Sequence, residues 1–301
     1  MDKTIVVVGA TGLQGRAVTA RLLSNGWRVR AVTRDPAAAP AQALAQAGAQ
    51  LVRAEMDDVA SLAAAAGGAY GMFSVQPTVG SPGTPAGFST EDEVRWGRNV
   101  AEAAHTAEVR HLVYASVAGA GRHNTEKLPQ NVVSKWRIEQ HIVRLGLPAT
   151  FLRPVSFMEN YTGAYHLQGG AVATAFEADV PQQILAVDDL AVFTAQAFAR
   201  PQDWIGRAVD LAGDELTPVQ IAAVISEAVG RPLPYVQIPL EAIAQAGEEF
   251  AFAYAWLNGR GWRADVSFAR ALHPGLMDLR TWLARTGAAQ IAHFLAQKAT
   301  A

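Results

Sequence analysis

The sequence predicts an α/β chain: a doubly wound parallel Rossmann sheet joined to a smaller, mostly helical C-terminal region. Three observations predict it. Short β-branched apolar runs alternate with helical patterns up to residue 153. The first run ends in a glycine-rich turn that opens a helix, and after Pro154 the alternation gives way to aromatic-rich helical sequence. Right-handed crossovers put helices on both faces of such a sheet, so its strands read as continuous hydrophobic runs.

The elements follow in order. Thr4–Val8 (TIVVV) is a strand buried on both faces, and the helix after it carries Ala17, Val18, Leu22 and Leu23 and stops near Asn25-Gly26. Arg28–Thr33 is the second strand. An alanine-rich helix runs to Ala47-Gly48, and Gln50–Arg53 is the third strand. A helix over Asp58–Ala66 leads to the strand Gly71–Val75, and the Gly-, Pro-, Ser- and Thr-rich stretch Pro77–Gly87 reads as a loop. A helix at Glu91–Thr106, a strand at His111–Ser116, a helix at Ser134–Leu145 and a strand at Ala149–Arg153 complete the alternation. Beyond Pro154, Val187–Ala199 is helical, Ala208–Ala212 returns a strand to the sheet, and Thr217–Val229 is a helix with a Thr-Pro start. The remainder is helical and carries Phe250, Phe252, Tyr254, Trp256 and Trp262. Residues 1–155, with 186–213 returning, are therefore expected to form a dinucleotide-binding domain, and 156–185 with 214–301 a smaller substrate or lid domain.

Composition narrows the function classes. The 301 residues are 50% hydrophobic, enough for a large core, and the formal charge of −2 argues against direct nucleic-acid or anionic-membrane binding. The absence of cysteine excludes disulfides, thiol catalysis and Cys-ligated metals. Met-Asp-Lys passes straight into an apolar run that ends in a glycine turn, so that run reads as a strand rather than a leader. No run approaches the ~20 apolar residues of a membrane span, and a cytoplasmic protein is expected. No His/Asp/Glu spacing suggests a metal, and no GxSxG suggests a hydrolase.

The loop Gly9-Ala10-Thr11-Gly12-Leu13-Gln14-Gly15 carries the chemistry. Between a strand and a helix, its first glycine permits the tight turn, its second the approach of a pyrophosphate, and its third close helix–strand packing. Backbone N–H groups of Thr11 through Gly15 and the helix dipole then favour phosphate. The second strand ends Thr33-Arg34-Asp35. Arg34 suits a 2′-phosphate, which favours NADP(H), with NAD(H) the alternative. Asp57 and Asp58 are placed to reach the adenine edge, although Asp58 equally suits a helix N-cap.

These residues resemble the NmrA-like group of atypical short-chain dehydrogenase/reductases. The likeness is carried by VVVGATGLQG, by Thr33-Arg34, by EMDD at 55–58 and by EVRWGRNVAEAA. It continues in VYAS ending at Ser116, SKWRIEQHI with Lys135, LRPVSFMENY at 152–161 and VDDLA at 187–191. The group includes NADPH-sensing regulators as well as quinone and isoflavone-type reductases. The resemblance implies that Lys135 holds the nicotinamide ribose or acts as the acid, with Ser116 as the strand-end serine. It also implies that Gln76, Pro77 and Phe157 lie at the nicotinamide end. The tyrosine expected four residues before the lysine is replaced by Asn131, which has no proton to exchange. His123, Asn124 and His166 are alternative polar candidates, and Glu159, Asn160 and Tyr161 either contact substrate or cap a helix. The C-terminal aromatics either line a pocket for a flat substrate or fill a core. The expected function is hydride transfer from NAD(P)H to a quinone, enone or polycyclic aromatic small molecule. The alternatives are an NADP(H) sensor with a protein partner and an unusual monooxygenase of aromatic polyketide metabolism.

Overall fold

The computed structural model describes residues 3–80 and 84–299; residues 81–83 of the expected Pro77–Gly87 loop lie outside the described residues. The chain divides into two compact units. The first contains Met1–Gly121, Asn131–Arg153 and Leu190–Val209, and the second Arg122–Gln130, Pro154–Asp189 and Asp210–Ala301.

In the first, β1 (Thr4–Val7), β2 (Arg28–Thr33), β3 (Gln50–Arg53), β4 (Gly71–Ser74), β5 (His111–Ala115) and β6 (Ala149–Pro154) alternate with five helices. These are α1 (Leu13–Ser24), α2 (Ala39–Gln46), α3 (Val59–Ala66), α4 (Thr90–Thr106) and α5 (Gln130–Arg144). The strands form a parallel sheet in the order β6-β5-β4-β1-β2-β3, with Ala208–Leu211 added beside β6 as the seventh strand. β1 pairs with β2 on one side and β4 on the other, Val6 lying opposite Arg30 and Met72. The order reverses there, and a ligand crevice opens at such a point beyond the strand C-termini. Ile5, Val6, Val7 and Val8 are fully buried, which is why TIVVV reads as a central strand.

Local signals set the helix starts. Ser89 and Asp92 form a reciprocal capping box on α4, and Asp58 caps α3 through the Ser61 N–H at 3.1 Å. Helix α5 starts four residues before the expected Ser134. Its first N–H, on Gln130, donates to the Glu249 carboxylate at 2.5 Å, a cap supplied from far along the chain.

The second unit holds more strand than its sequence suggested. One three-stranded sheet has the order Asp214–Leu216, Gln182–Leu185, Ser156–Phe157, and another Tyr235–Gln237, Ala171–Thr174, Leu167–Gln168. Segments of two to four residues are too short to show alternation. Helices Pro218–Val229, Leu240–Ala246, Glu248–Asn258, Val266–Leu272 and Ala288–Ala299 supply the expected helical content. Its core gathers Met158, Tyr161, Ile184, Ile221, Trp282 and Ile291. Among the described residues no helix is long and apolar enough to cross a membrane, and no cluster of His, Asp and Glu is placed to hold a metal.

Candidate functional site

Two of the three loop glycines are required by geometry. Gly9 has φ +73°, and a Cβ there would stand 2.8 Å from Val75 Cγ1. At Gly15 a Cβ would lie 2.1 Å from the Gly9 carbonyl oxygen, so α1 meets β1 at backbone distance. A Cβ on Gly12, by contrast, would meet only the Gly9 oxygen, at 3.3 Å. Gly12 is the N-cap of α1 with no side-chain cap, and the first turn holds no acidic residue. The N–H groups of Leu13, Gln14 and Gly15 therefore lack intrahelical acceptors at the positive end of the helix dipole. Gln14 Oε1 is buried without a partner, Thr11 is half-buried, and Leu13 is exposed. An uncapped helix start and a turn with no room for a side chain at Gly9 or Gly15 fit a bound pyrophosphate.

At the end of β2, Arg34 is exposed and makes no ion pair or hydrogen bond among the described residues. The Asp35 carboxylate accepts the Ala37 N–H at 2.9 Å, and the Asp35 N–H donates to Thr33 Oγ1 at 3.2 Å. The acid at this corner is tied into its own turn while the arginine is available. Asp57 pairs with Arg95 at 2.9 Å, and that guanidinium holds its carboxyl below the usual range. Asp58 serves as the α3 cap.

On the β4–β5 side of β1 the structure brings together Thr78, Glu93, Ser134 and Lys135, with Gln76 two residues before Thr78. Gln76 Nε2 donates to Ser74 Oγ at 2.9 Å, and its Oε1 is buried without a partner. Pro77 follows, half-buried. The Ser116 N–H donates to the Leu152 carbonyl at 2.8 Å, leaving a buried, unpartnered Oγ. Lys135 is buried rather than an exposed helix lysine. Its Nζ donates to Glu93 Oε1 and, at 2.9 Å, to Thr78 Oγ1. Thr78 Oγ1 donates to Glu93 Oε1 at 3.0 Å and Ser134 Oγ to Glu93 Oε2 at 2.8 Å, so both carboxylate oxygens of this fully buried side chain are satisfied. Sequence reasoning missed Glu93 and Thr78. The available signal was a carboxylate four residues before Gly97 and seven before Val100, on the buried stripe of α4. Asn131 lies one turn before Lys135, and its carbonyl accepts from Ser134 Oγ at 3.2 Å. Tyr114 is no substitute for the missing tyrosine. Its hydroxyl is fully buried, and burial, with the Glu93 and Glu139 charges, pushes it well above the usual phenol range.

The second unit holds the remaining candidates. Phe157 is half-buried in the strand opposite Leu185. Glu159 accepts the Val187 N–H at 3.2 Å and the Trp282 Nε1–H at 3.1 Å, so it caps a helix start and ties down a core indole. Burial pushes its carboxyl up to about 7. Tyr161 is buried beside His166, ring centroids 4.7 Å apart, and Asn160 is half-buried. Burial drives the His166 ring down to about 3, so it is a neutral core imidazole rather than an acid near neutral pH. His123 and Asn124 are exposed in a short 3₁₀ turn. The aromatics largely pack on one another: Trp256 against Trp262 at 5.0 Å, Phe176 against Tyr254 at 5.0 Å, and Arg122 over Trp256 at 5.2 Å.

The NmrA-like family model matches residues 1–272. An NmrA-like family domain-containing oxidoreductase, FrzB of a Cladobotryum species, is 34% identical over 54% of this chain, and the chain spans about half of that relative (48%). An NAD(P)H azoreductase of Xenophilus azovorans is 30% identical, covering 80% of this chain and 79% of the enzyme. Among solved structures, NmrA, described as a negative transcriptional regulator in complex with NADP, superposes with a TM-score of 0.77 at 22% identity, covering 97% of each chain. At that identity the likeness is one of fold.

Proposed function

This chain belongs to the NmrA-like family, and from that premise we propose that it is an NAD(P)H-dependent oxidoreductase reducing a quinone, enone, azo or polycyclic aromatic acceptor. The observation that carries the reading is the uncapped glycine cradle flanked by an exposed Arg34 on one side of β1 and a buried Lys135 on the other. Gly9, Thr11, Gly12, Leu13, Gln14 and Gly15 hold the pyrophosphate, and Arg34 clamps the 2′-phosphate, so NADP(H) is preferred over NAD(H). Asp57 borders the adenine side, with Asp58 chiefly a cap. Gln76, Pro77, Ser116, Lys135 and Phe157 serve the nicotinamide end, and the second unit carries the substrate-binding part. When bound, the nicotinamide supplies a hydride. Lys135 binds and orients the ribose, Ser116 offers its unpartnered hydroxyl to the acceptor, and Asn131 transfers no proton. An acceptor whose reduced oxygens or nitrogens take protons from water tolerates that arrangement.

The test is single-turnover mixing of protein with stoichiometric NADPH and then a panel of quinones and azo dyes, read by nicotinamide absorbance. Oxidation above the uncatalysed rate is expected. Asn131 in the tyrosine position favours a second reading, a sensor that binds NADP(H) and signals to a protein partner without turnover. Tight NADPH binding with no oxidation across the panel would establish that reading instead.

A further inference from the structure

We propose that Glu93 is the positioning residue of the nicotinamide-ribose site: its buried carboxylate, with Thr78, fixes the Lys135 ammonium in place to bind the ribose. The inference rests on the reading of the chain as a dinucleotide-binding protein, and deepens it.

Four observations carry it. Glu93 is fully buried, and an isolated carboxylate there would be costly, so its partners are obligatory. Lys135 Nζ spends two of its three donors on Glu93 and Thr78, which leaves one for a ligand. Ser134 holds the second oxygen, so the carboxylate has little freedom to turn away from the lysine. The helices are in contact where this matters: a Cβ on Gly97 would lie 2.4 Å from Ile138, and Glu93 and Ser134 stand one turn before those two residues. The glycine therefore sets the separation of α4 and α5 at which the ion pair closes.

The placement points to the ribose of the nicotinamide rather than the adenosine half. Arg34 follows β2, on one side of β1, whereas Thr78 follows β4 and Lys135 follows β5, on the other. A dinucleotide crossing the switch point between them puts its two riboses on opposite sides. The charge arithmetic also differs from that of a lysine beside a catalytic tyrosine. Here the ammonium faces a carboxylate at contact, so the two charges balance within the site. A fixed, neutralised cation suits hydrogen bonding to hydroxyls.

The experiment compares NADPH with 2′,5′-ADP, which lacks the nicotinamide half, as calorimetric titrants. Glu93→Gln and Lys135→Met should each weaken NADPH roughly ten- to hundredfold, the loss expected on removing a charged hydrogen bond, and leave 2′,5′-ADP unchanged. The double variant should bind NADPH no more weakly than Lys135→Met alone, because Glu93 acts only through the lysine. Glu93→Asp, which keeps the charge, should recover part of the loss, and it serves where Glu93→Gln does not fold. A merely structural role for Glu93 predicts otherwise: both titrants weakened together, or losses that add in the double variant. Either result would overturn the inference alone. No NADPH binding by the wild type would overturn the dinucleotide reading, and the inference with it.

Discussion

At the scale of single residues, the proposed preference for NADP(H) rests on the corner after β2. Arg34 has no partner among the described residues, and Asp35 is held by the Ala37 N–H, so the acid that would accept a ribose hydroxyl in an NAD site is turned into its own loop. Arg34→Ala should therefore weaken NADPH by roughly ten- to hundredfold while changing NADH less than about threefold, by fluorescence titration. Equal losses for both would show that Arg34 does not read the phosphate. Glu159 belongs to this scale as well. Burial raises its carboxyl from an ordinary 4.5 to about 7. Between those values the folded chain holds a proton that the unfolded chain has released, so this residue's contribution to stability is present below 4.5 and lost as pH rises through about 7. Glu159→Gln should accordingly gain in melting temperature relative to wild type from pH 5 to pH 8; an equal difference at both would refute the assignment. The glycine turn was legible because its strand–turn–helix spacing is local, and Lys135 was singled out by the family resemblance. Glu93 was not, because its meaning depends on Lys135, 42 residues later and on another helix.

At the scale of elements, what matters is how α4 and α5 approach. Gly97 has no room for a side chain against Ile138, and the Glu93–Lys135 pair lies one turn away. Gly97→Val should destabilise by about 1–3 kcal/mol through overpacking, seen as a lower urea midpoint, and Ile138→Ala introduced alongside should restore part of it. Additive losses in the pair would mean that the two positions do not share the contact. The sequence read the long elements well, since β-branched runs and helical periodicity are local. It missed the start of α5 because the Gln130 N–H is capped by Glu249, which no local pattern encodes. It also missed the short strands of the second unit, whose pairing across long gaps replaces any periodicity of their own.

At the scale of the whole molecule, the division into two units gives the reading its broadest test. A ligand that binds only the folded state stabilises it by mass action, about 2.7 kcal/mol at a hundredfold excess over Kd. That stabilisation is felt first where the ligand touches, because local opening there is coupled to its release. NADPH should slow amide hydrogen exchange over residues 9–16, 34–37 and 76–78, all in the first unit. These are the helix start without a cap, the arginine corner and the segment that holds Thr78 to Lys135. A second ligand separates the roles of the units. An inert quinone analogue added to the NADPH complex should slow exchange in the second unit, around residues 156–166 and 250–262, if that unit carries the acceptor. Protection by the analogue confined to the first unit would assign the acceptor there and leave the aromatic packing of the second as structural core. Protection by NADPH alone, with no acceptor analogue changing either unit, would fit a protein whose ligand is the dinucleotide itself, and would turn the question from catalysis to the partner that reads the bound state.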